Sequence, residues 1–436
     1  MKCFTLLLLL LTTLAHSQNK SKLENYMDAQ ANINGFSGTV LITKNDSILL
    51  KKAYGFADLE WEIPNTIDSK YSLASVSKQF TAVAILQLVE KGKLSLEDKL
   101  TKFYPNFSYG KQITIKMMLT HNAGFQMDYD ELYLAKTTLN KDSVADYIMQ
   151  KPLLFTPGSK TAYSNIGYYL LARIIEKVSN QSYATYLKLN LFDKAKMYNS
   201  GISNNDSIIP KATKAYYKKD NVLLKNPYIN WDFNIGHDGV YSTVDDLYLW
   251  NKALFDSTIL LSEPSKKVMF TSHNDQNFGL GLLVNPSYNQ NHALIAHAGG
   301  FFGAMTSFNR YTDDNIFIAL LSNNQSPSYS IAYTLAAIIF DKPVEIPYQH
   351  IQVEVDPVIY DDYIGTYENI LILKQNEKLY YLNYETELLP ESNVKFFCSD
   401  NNDRTIEFVR DKKGKISELI ITRAGVQEIK NKQMRN

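Results

Sequence analysis

The sequence predicts an α+β protein: an antiparallel β-sheet flanked by helices, carrying a helical subdomain, followed by a small all-β domain. Three observations carry that expectation. Strand-like patterns open and close the first part of the chain, with helical patterns between them. The stretch from Asp341 to Pro357 holds Pro343, Pro347 and Pro357 and has little periodicity, as a linker does. Beyond it, from Tyr363 to Ile429, short apolar runs alternate with turn signals, the pattern of a barrel or sandwich.

Each element has its own local reason. Ser37 to Leu59 alternates in the manner of strands, and Asn45-Asp46-Ser47 supplies a turn, so the segment reads as a hairpin. Val76 to Val89 is apolar nearly all round, which predicts a buried helix from about Ser75, ended by Gly92. Ile113 to Thr120 continues the apolar pattern up to His121. Asn165 to Val178 has helical spacing. Asp245 to Leu254 is a further helix, with Ser242 or Thr243 as its N-cap. Phe278 to Val284 and Asn315 to Ser322 read as strands, and Ile331 to Phe340 as a helix. His297 to Gly300 is expected just before a strand.

The first residues, 1–18, read as a secretory signal. Lys2 gives the positive start, Phe4 to Leu14 the apolar core, and Ala15-His16-Ser17 a small-x-small cleavage site. That core is too short to span a bilayer, and no later apolar segment reaches spanning length. The expected product is exported, periplasmic or extracellular, with no stable membrane span after cleavage. Cys3 leaves with the signal; Cys398 is then the sole cysteine, which excludes an intrachain disulfide. The expected domain bounds are 19–341 for the first domain, 342–357 for the linker and 358–436 for the all-β domain. Lys+Arg and Asp+Glu are both 45, so charge gives no sign of a nucleic-acid partner.

The chemistry centres on Ser75-Val76-Ser77-Lys78. A serine hydroxyl is a poor nucleophile until a base takes its proton. Three residues apart on a helix, Ser75 and Lys78 share one face. A lysine at the start of a buried helix is partly desolvated, which favours its neutral, basic form. Taken alone, a serine near a helix start is more often just an N-cap.

Three further segments give it context: Tyr163-Ser164-Asn165 after Phe155-Thr156-Pro157-Gly158, His297-Ala298-Gly299-Gly300, and Leu119 to Phe125 (LTHNAGF). With Ser75-x-x-Lys78, these resemble the penicillin-recognising serine hydrolases, the branch of class C β-lactamases, DD-peptidases, D-aminopeptidases and related esterases. The resemblance spans roughly residues 30 to 340 and implies a β-lactamase/transpeptidase-like fold. Asp362 to Tyr367 resembles the small β domain often appended to that family.

The resemblance implies that Ser75 forms an acyl-enzyme and that Lys78 and Tyr163 share the proton traffic. Either can take the first proton. A tyrosine pKa lies near 10, so Tyr163 as base requires positive charge from Lys78 or a protonated His297. Asn165, His297 and Gly299 would bind substrate, and the N–H groups of Ser75 and Gly300 would form the oxyanion hole. His297 stands where β-lactamases of this branch usually carry lysine. A mostly neutral imidazole is a weaker anchor for an anionic β-lactam. The leading expectation is therefore an exported hydrolase of an amide, ester or peptide. A β-lactamase and a non-catalytic penicillin-binding sensor or scaffold are the alternatives.

No cofactor or metal is expected, because the histidines are too scattered for a zinc spacing. His121 is expected to fix a loop, and His237-Asp238, which could suggest a metal or a relay pair, is set aside on the same scatter. The expected partner is a small-molecule or peptide substrate. The regions Tyr129 to Asp146 and Ala215 to Asp232 are expected to line the pocket, and oligomeric state is left open.

Overall fold

A computed structural model describes residues 20–220, 222–399 and 401–433. The signal segment 1–18 lies outside the described residues. The chain divides into two compact units: Phe36–Ala332, and the residues up to Gly35 together with those from Tyr333 onward. The helix Ser328–Ile339 crosses that division. The sequence reading had kept the whole of this helix with the first domain.

In the first unit the two ends of the segment meet in one antiparallel sheet. Its strand order is Leu283–Val284, Leu294–Phe301, Ala304–Tyr311, Ile316–Ser322, Gly38–Lys44 and Ser47–Tyr54. The N-terminal hairpin turns at Asn45 and Asp46, both at positive φ, the conformation a tight two-residue hairpin demands. Its first strand pairs with the last of the unit, Gly38 opposite Ser322 and Lys44 opposite Ile316. Ile316–Ser322 is buried along its whole length, which explains its unbroken apolar run. The helix Val244–Phe255 packs against these two central strands. Thr243, the second of the two candidate caps, takes the N-cap position and accepts a hydrogen bond from Asp246 N.

The expected buried helix runs Lys78–Glu90 after a one-turn 3₁₀ segment, Ala74–Ser77. Every residue from Lys78 to Leu88 is buried, so the absence of a polar face in the sequence has its cause in packing. It lies against Asn165–Ser179 and Tyr183–Leu187. Trp250 stacks on Phe80 at 4.2 Å and donates its indole N–H to Gln79 at 2.6 Å.

Two strand expectations need correction. Of Phe278 to Val284, only Leu283–Val284 is a strand. Gly281, at φ +74, turns the chain so closely over the Lys78 helix that a Cβ there would meet Lys78 O at 2.7 Å. His297 lies inside the strand Leu294–Phe301 and not before it. The strand survives its glycines because Phe302 and Gly303, both at positive φ, fold it back onto Ala304–Tyr311.

The second unit is built on eight strands paired in sequence order, Gly365–Tyr367 through Val426–Asn431. Tyr367 bridges Lys432, and Gln433 N donates to Thr366 O at 2.8 Å, so the last strand returns to the first and closes a barrel. Side chains fill the interior, among them Tyr367, Ile372, Phe396, Phe408 and Ile421. Tyr363 stacks on Phe408 at 4.2 Å. The segment expected as a linker has no helix or strand before Pro357. It is nevertheless tied to the barrel, by Glu345 N to Gly425 O at 2.7 Å and Val353 N to Pro390 O at 2.9 Å. A helix over residues 20–32 precedes Asn34, whose side chain donates to Asp403 at 2.7 Å. No helix among the described residues is long and apolar enough to cross a membrane.

The buried Thr243 side chain caps the helix that backs the sheet through its bond from Asp246 N. Thr243→Ala is expected to lower unfolding free energy by about 1 kcal/mol, read by urea denaturation.

Candidate active site

The site begins with a backbone conformation. Leu73 is fixed on both sides, its N–H donating to Val240 O at 2.8 Å and its carbonyl accepting from Thr306 Oγ1 at 2.8 Å. Ala74 follows at φ +46, a left-handed geometry that costs a non-glycine residue roughly 1–3 kcal/mol. The turn leaves Ser75 partly exposed at the head of the buried helix, while Lys78 points inward and is wholly buried.

Lys78 Nζ donates to Ser75 Oγ at 3.1 Å, to Asn165 Oδ1 at 2.7 Å and to His237 O at 3.1 Å. Burial pulls its pKa down to about 8, against the opposing pull of Asp238 and Asp128. Relative to an ordinary lysine near 10.5, that shift corresponds to about 3 kcal/mol of lost preference for the charged form.

Tyr163 hydrogen-bonds with Ser75, and its ring lies under the Lys78 ammonium at 4.7 Å. Burial pushes its pKa well above 10, outweighing the Ser75 hydrogen bond. The hydroxyl therefore stays protonated. Burial also holds His297 neutral, with its pKa down to about 4. Its Nδ1 donates to Ala298 O at 2.6 Å. The protonated His297 that the sequence reading offered as a source of positive charge for Tyr163 is therefore absent. His121 accepts from Ser164 N at 3.0 Å and stacks on Tyr163 at 4.4 Å, fixing the tyrosine's loop.

Asn165 opens the helix Asn165–Ser179, capped by Ser164, whose Oγ accepts from Gly167 N. The same Ser164 Oγ donates to Gln126 O at 2.7 Å, and Asn165 N donates to Met127 O at 2.9 Å. These bonds bring Asp128 alongside. Asn165 Nδ2 donates to Asp128 Oδ2 at 2.8 Å, which turns the amide oxygen toward Lys78.

Asp128 and Asp238 are the residues that the sequence reading missed as influences on Lys78. Burial raises both carboxyls, Asp128 to about 6. Tyr133 donates to Asp238 Oδ2 at 2.8 Å, and His237 Nδ1 lies 3.5 Å from the same oxygen. Neither ring nitrogen of His237 has a hydrogen-bond partner among the described residues, so the two form no relay pair, and His237 meets Lys78 through its backbone carbonyl. No spacing signal could have linked Asp128 to Asn165, which lies 37 positions away.

The two glycines of the strand Leu294–Phe301 do different things. A Cβ on Gly299 would meet Thr306 Oγ1 at 2.3 Å and Leu73 O at 2.4 Å. What fills the space on the Cβ side of Gly299 is therefore the Leu73 backbone and the Thr306 hydroxyl. Phe301 and Ala304 close a two-residue hairpin and share its hydrogen bonds. Alternation then points the N–H of Gly300 outward at the strand's open edge, where an oxyanion can reach it.

Comparison with known proteins comes to the same architecture. The family model described as Beta-lactamase matches residues 21–339. The curated "Penicillin-binding protein 4*" of Bacillus subtilis (strain 168) is 30% identical over 419 residues, covering 87% of this chain and 92% of that protein. The solved penicillin-binding protein from Bacillus halodurans aligns with a TM-score of 0.63 at 26% identity, covering 72% of this chain and 98% of that one. D-amino acid amidase from Ochrobactrum anthropi SV3 shares the fold, with a TM-score of 0.65 at 19% identity over 75% of this chain and 99% of that one.

Two outcomes follow from this geometry. Asp128→Asn removes a negative charge that raises the Lys78 pKa, so the Lys78 titration should move to lower pH. The check is the midpoint of the pH profile of Ser75 acylation by an activated ester; an unmoved midpoint would refute the coupling. Gly299→Ala should destabilise the first unit by about 1–3 kcal/mol, because backbone atoms occupy the space for the new methyl. Thermal unfolding reads that loss.

Proposed function

The chain belongs to the β-lactamase family, whose members are serine hydrolases, and from that premise we propose that it is an exported hydrolase of an amide, ester or peptide. The reading is peptidase- or esterase-like. Its reaction runs through Ser75, Lys78 and Tyr163.

The observation that carries the reading is the fully buried Lys78 ammonium, held between Ser75 Oγ and Asn165 Oδ1. With a pKa near 8, about one Lys78 in ten is neutral at pH 7 and ready to take the Ser75 proton. Tyr163 is a poor base in this setting, because burial keeps its hydroxyl protonated. That supports Lys78 as the acylation base and Tyr163 as the proton donor to the leaving group. Ser75 Oγ then attacks the carbonyl. The oxyanion forms between the N–H groups of Ser75 and Gly300, and Asn165 holds Lys78 and the substrate amide. Water releases the acyl group in a second step of the same form.

A buried neutral His297 favours this reading over an antibiotic-destroying β-lactamase. It supplies no positive charge for the carboxylate of a β-lactam.

Intact-mass spectrometry after mixing with benzylpenicillin or an activated acyl ester is the direct test. An adduct mapped to Ser75, and its absence in Ser75→Ala with unchanged thermal unfolding, is the expected result. Hydrolysis that persists in Ser75→Ala would overturn the mechanism. The base must be neutral to act, so kcat/KM for ester hydrolysis should climb from about pH 7 to about pH 9 and be lost as pH falls through the Lys78 pKa. Lys78→Met should cost about 10²–10⁴ in kcat.

A further inference from the structure

Beside the catalytic turn lies a cavity of about 160 Å³ that the mechanism does not use. Its lining includes Lys70, Ser72, Asn204, Asn226, Trp231 and Phe301. Ser72 stands three residues before Ser75, and Phe301 directly follows Gly300. The strand that carries Phe301 packs against the nucleophile turn. The wall of the cavity is therefore continuous with the two segments that would hold the reacting carbonyl. A second hollow of about 240 Å³ shares Asn204, Asn226 and Trp231 with it and continues the space past Tyr228.

The charge of the lining is one-sided. Among the described residues of the lining, Lys70 is the sole charged one and none is a carboxylate. The Lys70 backbone is fixed, its N–H donating to Lys211 O and its carbonyl accepting from Thr213 N, both at 2.9 Å. Its ammonium lies 5.7 Å from the Tyr241 ring centroid. Asp68, two residues upstream, is already paired with Lys211 at 2.8 Å. The remaining polar lining is hydroxyls and amides, which hydrogen-bond an anion without adding charge, and Trp231 and Phe301 supply an apolar wall. The volume suits a substituent the size of a short amino-acid side chain.

We infer that this cavity is a subsite for a carboxylate-bearing group of the substrate, with Lys70 as its charge partner. The inference rests on the hydrolase reading, and it names the substrate class: amides, esters or peptides with an acidic substituent next to the scissile bond.

Paired probes test it. The p-nitrophenyl monoester of adipic acid carries a terminal carboxylate, and the corresponding adipamate ester carries a neutral amide of the same length. The wild-type protein is expected to favour the acid ester. Lys70→Gln should reduce the ratio of kcat/KM for acid over amide ester by about tenfold, through KM, since one ion pair is lost at a partly enclosed site. Calorimetric titration of Ser75→Ala with adipate gives a readout independent of turnover: adipate should bind, and more weakly in Ser75→Ala combined with Lys70→Gln. An unaltered ratio, or no adipate binding to Ser75→Ala, would overturn the subsite. Failure of the hydrolase reading has a different signature: neither ester is turned over and Ser75 forms no adduct, while adipate binding still decides whether the cavity takes a carboxylate.

Discussion

Burial of one ammonium group organises the whole site. Lys78 has no contact with solvent, yet it is held by three oxygens, those of Ser75, Asn165 and the His237 backbone. Water would hold the charge better than these partners do, and so the pKa falls to about 8. If the pocket were wetter, the lysine would stay charged and could not serve as the proposed base for Ser75. If Asp128 and Asp238 were closer or more fully ionised, the same would follow. The two carboxylates are themselves pushed toward their neutral forms by burial, so lysine and acids behave as one coupled set.

That pocket exists because a strained turn is clamped between two elements far apart in sequence. Val240 and Thr306 hold the two sides of Leu73, and the positive φ of Ala74 aims the next residue outward. Gly299 lets the sheet edge approach the turn to a distance that no side chain would allow. The proposed oxyanion donors, the N–H groups of Ser75 and Gly300, would therefore be set by backbone packing, which is stiffer than side-chain placement. The barrel of the other unit has a filled interior of its own, and its tyrosines and phenylalanines account for the aromatic richness of the C-terminal segment.

The elements easiest to read in the sequence were those whose cause is local. The hairpin at Asn45-Asp46, the buried helix after Ser75, the capped helix at Asn165 and the apolar strand ending at Ser322 each follow from turn chemistry or periodicity. Phe278 to Val284 was misread because its apolar run is interrupted by a glycine turn that exists to pack on another helix. His297 was placed before its strand because glycines weaken the local signal, and pairing with Ala304–Tyr311 overrides it. The linker 342–357 was legible as irregular chain but not as chain fastened to a barrel, since its hydrogen bonds run to residues far along the sequence.

The sequence by itself pointed to the family, through a few short motifs in fixed order that resemble it, and to Ser75 and Lys78 as the candidate nucleophile and its lysine. It left open which group takes the serine proton. Only the tertiary structure decided that Lys78 is dry, that Tyr163 and His297 stay uncharged by proton gain or loss near neutral pH, and that Asp128 and Asp238 surround the lysine. The physical reason is that a pKa depends on desolvation and on charges within a few ångströms, and those neighbours come from segments that meet only when the chain is folded.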